Sequence, residues 1–447
     1  VDGIGAAPSA RSGLPPDRNS GGATLMAIPE LIVDRITTPG VLAAKLLLPW
    51  GSATDGVGQR GAHQLLAATL SRGCGPYDHR QLADLVEGRG AGLRSDANED
   101  GLLISLRCTS EDAQELMPLL DWMVTAPHLA TEQLELERSL SVQALQRQRE
   151  DPFQLAIDQW RRLVYGDTGY GHDPLGVIDD LQQLDEGALR ALAAQLTSGR
   201  SVLALSGTWS SSLDDTLLNR TGEGWHDTDE APPPPPVHWM PGAEGDLIMQ
   251  SIDTEQVVMM LGQPCCPHGH PDDLALRLLQ CHLGSGMSSL LFRRLREDHG
   301  VAYDVGAHHP ARAGASPFVL HASSSAERAE LSLSLLHQSW QELRSQPLSE
   351  DDLTLARAKF RGQIAHGRQT SAQRAERAAH RRSLGLSDDH DHLCLERIES
   401  LQAPQLMEAA QRWLHRPHLS LCGPADALKG LERRWHQLQS SAATGSS

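Results

Sequence analysis

Arg296 and Tyr303 stand on either side of a glycine in the run GMSSLLFRRLREDHGVAYDV, residues 286–305. A planar cation and a phenol that converge on one point can hold a polarised carbonyl oxygen. Met287, Leu290, Leu291, Arg294 and Leu295 recur at helical spacing, Ser285 is placed to cap the start, and Gly300 is the residue type that ends helices in a left-handed conformation. Residues 301–305 then alternate as a strand does. The pattern predicts helix, turn and strand, with Arg296 in the last helical turn and Tyr303 beyond it. The plain alternative is a surface arginine beside a half-buried tyrosine. Tyr303 is one of four tyrosines and the only one in the second half of the chain, which hints that its hydroxyl is used.

Other clusters carry reactive types without a matching pattern. Cys265, Cys266, His268 and His270 crowd one turn, but adjacent cysteines in a Pro/Gly-rich loop fit no known zinc spacing. Asp388, Asp389, His390, Asp391, His392 and Cys394 read as a solvated loop and helix cap. His308 and His309 read as a turn before Pro310, although they can also face a substrate space. Arg374, Arg377, Arg381 and Arg382 share one helical face, either solvated or facing an acidic partner.

The elements that must position these residues make a long chain. At 447 residues it exceeds one ordinary core, and two domains are expected. A net charge of -18 argues against nucleic acid or an anionic membrane surface as partner. The longest apolar run, residues 41–48, is interrupted by Lys45 and is too short to span a bilayer. Residues 1–22 lack the pattern of a secretory signal and read as a disordered tail. Seven cysteines, thinly spread, fit free thiols in a reducing compartment, with the cytoplasm as the default.

Periodicity predicts a strand at 40–49 and helices at 59–71, 80–88, 111–124, 131–149, 154–164 and 186–196, followed by a strand at 202–207. Residues 210–245, with the run Pro232 to Pro236, read as a stiff linker. A strand at 256–261 and a helix at 274–283 then repeat the opening order. Leu65, Leu66, Leu70 and Gly73 line up with Leu278, Leu279, Leu283 and Gly286, and Leu203, Leu205 and Gly207 with Leu419, Leu421 and Gly423, at nearly one offset. So steady an offset marks a duplicated domain. The expected fold is α+β: two duplicated domains, at 23–209 and 246–440 with a tail at 441–447, each a mainly antiparallel sheet with helices packed on it.

The helix GAHQLLAATLSRG resembles the insulinase/pitrilysin-type zinc peptidases, whose first domain carries H-x-x-E-H at this place. On a helix, residues i and i+4 share one face and both bind zinc, while the glutamate activates the bound water. Here the motif reads His63, Gln64, Leu65, Leu66, Ala67, so the base position is Leu66 and the second ligand position Ala67. The family's third ligand, a glutamate 77 residues later, falls on Ala144. A lone imidazole holds no catalytic zinc, and no carboxylate is left as base. The run 286–305 is similar to the family's second-domain segment, whose arginine and tyrosine bind substrate and steady the tetrahedral intermediate. GHDPLGVIDDLQQL, from residue 171, matches a further family region, and the resemblance extends from about residue 27 to 438.

Some bacterial members divide the work between two chains, and this one resembles the chain without the zinc motif. The resemblance implies one half of a clamshell, with Arg296 and Tyr303 serving substrate binding and catalysis. No cofactor is expected in this chain, and zinc is expected on a related partner subunit that acts with it on a peptide. The other reading is a purely structural subunit, like the family's core proteins in respiratory complexes.

Overall fold

Ten strands in two sheets organise the chain, and the computed structural model describes residues 29–37, 40–167, 169–218, 225 and 247–444. In the first half, β1 (Glu30–Arg35), β2 (Val41–Leu48), β3 (Gly92–Ala97), β4 (Leu102–Thr109) and β5 (Val202–Gly207) make a sheet of order β1-β5-β2-β4-β3. In the second, β6 (Leu247–Ser251), β7 (Gln256–Pro264), β8 (Asp304–His308), β9 (Pro317–Ser325) and β10 (His418–Gly423) repeat that order as β6-β10-β7-β9-β8. Each sheet is antiparallel apart from one parallel edge pair, β1 with β5 and β6 with β10. The expected duplication and the α+β class are therefore both present.

The helices repeat too. α1 (Ala62–Leu70), α2 (Thr131–Gln148) and α3 (Pro152–Tyr165) of the first half correspond in order to α4 (Asp273–Gly284), α5 (Glu350–His366) and α6 (Ser371–Ser383) of the second, and α7 (His390–Ser400) follows. One face of each sheet is covered by helices of its own half, such as α1 on β3 and β4 and α4 on β8. The other face is covered by a helix from the opposite half.

This exchange is reciprocal but chemically unequal. α3 lays Ala156, Trp160, Val164 and Tyr165 against Val258, Met260, Val319 and Cys422 of the second sheet, and the Trp160 indole N–H donates to the His418 carbonyl at 3.3 Å. α6 offers only Ala375, Ala378 and Ala379 to Leu47, Val202 and Ala204 of the first sheet. Ion pairs supplement that smaller apolar contact. Lys45 Nζ reaches Glu376 at 2.6 Å, Arg374 grips Asp34 through Nε at 2.6 Å and Nη2 at 2.8 Å, and Arg382 lies 3.2 Å from Glu30. Lys45 interrupts an apolar strand because its side chain faces a carboxylate on the exchanged helix.

Some sequence expectations need correction. The basic face of α6 meets acids of its own chain: besides Asp34 and Glu30, both arms of Arg377 grip Asp391, and Arg381 and Arg382 pair with Asp388. The segment read as one helix at 111–124 is two, Ala113–Leu116 and Pro118–Thr125, because Pro118 has no N–H and starts a new helix at its first position. The linker begins later than residue 210, since Ser211–Leu218 is a helix whose Leu213 and Leu217 join the first core, as does Trp225. The five-proline run and the tail at 1–22 lie outside the described residues.

Candidate functional site

α1 carries the zinc-motif positions into the core. Gly61, at φ 97°, turns the chain into the helix, and Asp55 holds the turn by accepting the Gly61 N–H at 2.8 Å. The same carboxylate lies 2.6 Å from His63 Nδ1, and both side chains are almost fully buried. A carboxylate on Nδ1 is how metal-bound histidines are oriented, leaving Nε2 to face the metal. His63 Nε2 is indeed buried and has no hydrogen-bond partner among the described residues. The remaining positions do not fit a metal: Leu66 and Ala67 are fully buried hydrocarbon, and Ala144, half-buried on α2, brings no carboxylate. One donor of three remains, so these residues cannot hold a catalytic zinc.

The second-half segment is built differently. α4 ends at Gly284, where a Cβ would stand 2.3 Å from the Ala307 backbone nitrogen, so glycine lets the helix end close against β8. Ser285 accordingly follows α4 as its C-cap; it does not cap the start of the next helix, as the sequence suggested. After a turn at 285–289, Phe292–Asp298 forms a π-helix, a wide coil with i→i+5 hydrogen bonds that is rare and enriched at functional sites. Leu291 and Leu295 are fully buried and anchor it. Gly300, at φ 59°, closes it, and the Val301 N–H returns to the Leu295 carbonyl at 2.8 Å. Val301 and Ala302 are buried and the strand begins at Asp304, later than the alternation at 301–305 suggested.

Three arginines on this coil have separate fates. Arg294 is committed to Glu342 at 2.7 Å and to Ser339 at 2.9 Å, and Arg293 to Asp352 at 3.3 Å. Arg296 is exposed, has no ion pair among the described residues, and rests over the Phe292 ring at 5.0 Å. Its aromatic seat one turn earlier was in the sequence as Phe292 and went unnoticed. Tyr303 is 64% exposed. Its N–H donates to the Ser323 carbonyl at 2.8 Å, fixing the backbone just ahead of β8, while its hydroxyl has no hydrogen-bond partner among the described residues. The half-buried tyrosine of the plain reading is thus an exposed one. No hydrogen bond or ion pair among the described residues joins the Arg296 and Tyr303 side chains to each other or to His63; Arg296 and Tyr303 share one short segment, not one bond.

The remaining clusters are internal. Cys265 and Cys266 are buried, and the Cys265 thiol donates to the Ser316 carbonyl at 3.1 Å. His309 is buried 3.3 Å from Asp273 and does not lie on a surface turn. His308 is exposed at the end of β8. Among the described residues, no three His, Cys, Asp or Glu side chains are arranged to hold a metal, and no helix is long and apolar enough to cross a membrane.

Comparison with known proteins agrees with this architecture. Residues 189–360 match the peptidase M16 inactive-domain family. An uncharacterized zinc protease of Rickettsia felis is 21% identical over 338 residues, 75% of this chain and 80% of that protein. The crystal structure of a peptidase M16 inactive domain from Pseudomonas fluorescens superposes with a TM-score of 0.80 at 20% identity, over 88% of this chain and 95% of that one. A chain of complex III2 from Candida albicans superposes at 0.75 and 13% identity, over 91% and 97%. Residues 189–360 thus carry a peptidase M16 inactive-type domain, and the chain as a whole shares the fold of the M16 structure it superposes on.

Proposed function

We propose that this chain is the non-zinc-binding subunit of a two-chain M16 peptidase. In this reading it lends Arg296 and Tyr303 to a zinc site on a related partner subunit. The observation that carries the reading is the contrast among neighbours: Arg293 and Arg294 are spent on internal acids, while Arg296 and the Tyr303 hydroxyl are exposed and uncommitted. The Arg296 guanidinium hydrogen-bonds a substrate carbonyl, with the Phe292 face limiting its rotamers. The Tyr303 hydroxyl donates to the oxyanion as it develops, held in place by the Ser323 bond to its own backbone. Activation of the attacking water belongs to the partner's zinc. Seven free cysteines support a reducing compartment, the cytoplasm, as the place of action.

A structural subunit is the second reading. The match to an inactive-type domain and the likeness to a complex III2 chain favour it. Reconstitution separates the two. Co-purification from the native source asks whether a related H-x-x-E-H chain accompanies this one, and peptide cleavage is then measured for partner alone, this chain alone and the mixture. The first reading expects activity only in the mixture; full activity of the partner alone leaves the structural reading.

A further inference from the structure

A cavity of about 560 Å³ lies beside α6, walled by α4, α5 and α7 and met from the first half by the turn at Asn98–Gly101. Gln373 and Ser383, both exposed, belong to its lining, so it reaches solvent along α6. None of His63, Arg296 and Tyr303 lines it.

Most of its acid oxygens are met while part of its donor capacity is not; the unmet oxygen is Asp273 Oδ1, buried with only His309 Nε2 nearby at 3.3 Å. Asp273 accepts from Arg277 Nε at 2.9 Å and the Gly269 N–H at 3.3 Å, and lies 2.8 Å from His268 Nδ1. Asp391 is gripped by Arg377, Glu376 by Lys45, and Asp100 by the Tyr170 hydroxyl and the Ala313 N–H. Arg381 is the exception. Its side chain is only 15% exposed, yet its ion pairs are long, 3.6 Å to Asp388 and 3.8 Å to Asp391, and its Nε is buried without a hydrogen-bond partner among the described residues. His268 Nε2 and the His380 ring likewise make no hydrogen bond among the described residues. The sequence clusters 265–270 and 388–394 meet on this wall, with the His268 and His390 rings edge to face at 5.6 Å.

A buried guanidinium N–H normally has an acceptor within hydrogen-bond reach, and an unmet N–H such as Arg381 Nε marks a place where an acceptor belongs. We propose that this cavity binds a compact polyvalent anion, a carboxylate or phosphate, with Arg381 as its ion-pairing contact and His268 and His380 as further hydrogen-bonding groups. Such an anion would touch Arg381 and His380 on α6 and His268 in the turn before α4, so occupancy would brace the exchanged helix against its own half. A chain of net charge -18 repels anions in general, so saturable retention would require a built site. The proposal is independent of the peptidase reading.

The test titrates citrate and inorganic phosphate separately into the full chain by calorimetry, at ionic strength matched with sodium chloride. One saturable site is expected for at least one of them, and which one binds tells carboxylate from phosphate chemistry. Arg381→Met should weaken binding at least about tenfold, as loss of a charged hydrogen bond does. Leu384→Trp, which places an indole in the cavity, should do the same with Arg381 intact, and decides the matter if Arg381→Met does not fold. Absence of saturable binding, or equal binding by wild type and both variants, overturns the proposal. So does uptake of cobalt(II) with thiolate charge-transfer absorption in place of either anion, which would make the His390–Cys394 wall a metal site.

Discussion

Helix α1 and the π-helical segment differ in how they keep their chemistry. At α1 the ligand positions are packed shut: Leu66 and Ala67 are core residues, and His63 is left with an orienting carboxylate and nothing to orient towards. At Phe292–Asp298 the apolar residues anchor the coil, while Arg296 and Tyr303 stand exposed, Arg296 with only the Phe292 ring beneath it and no ion pair among the described residues. The first region contributes to stability and lacks the ligands that would hold a metal. The second offers reactive groups that contribute little to stability.

The strongest way to break this contrast is to restore the motif. Leu66→Glu with Ala67→His should destabilise the chain by on the order of 5 kcal/mol in chemical denaturation, because both side chains enter a dry, filled core. A variant as stable as wild type would mean that the wall is not closed.

The second test falls on α4, the counterpart of α1. Burial alone would raise the Asp273 pKa, but hydrogen bonds from His268 and His309 and the charge of Arg277 hold it well below the usual carboxylate range. A depressed folded pKa stabilises above the unfolded value of about 4, and that stability is lost as pH falls through and below it. Asp273→Asn should cost about 3–5 kcal/mol at neutral pH and flatten the acid limb of the denaturation midpoint against pH. An unchanged limb would assign the acid sensitivity elsewhere.

Third, in the mixed complex Tyr303→Phe or Arg296→Ala should lower peptide cleavage by roughly 10²–10³-fold, the size of one lost oxyanion contact. Unchanged rates would remove both residues from catalysis. The smallest effect is the most discriminating: the same two variants should alter unfolding free energy by no more than about 0.5 kcal/mol. A larger loss would make them structural residues after all.

Much of this was legible in the sequence, and the failures have physical causes. The offset leucines reported the duplication because buried positions repeat wherever a sheet repeats. The helix predicted at 186–196 is observed as Glu186–Leu196, since its apolar period is clean and Asp185 caps it. That Leu66 and Ala67 stand where a base and a ligand would be needed followed from the resemblance to the family's motif, laid on the sequence residue by residue. The π-helix did not, because an i→i+5 coil has no separate apolar period when only Leu291 and Leu295 anchor it. Asp55 was missed as the partner of His63, and Asp273 as the partner of His309, because contacts made by loops leave no repeat to read. The α6 arginines looked like a partner surface because the acids they meet, such as Asp34, lie in a distant stretch of chain.

The exchange of α3 and α6 has a consequence for biosynthesis. When α3 emerges, its Trp160 face lacks the strands that cover it, and the cover is complete only when β10, ending at Gly423, has also been made. At about 5–20 residues per second that interval is on the order of tens of seconds. The nascent first half therefore travels with an aromatic stripe open to solvent, a ready target for a holdase chaperone. Truncation before β10 should leave the first half sticky and poorly expressed, so this chain must be made whole before either half can settle.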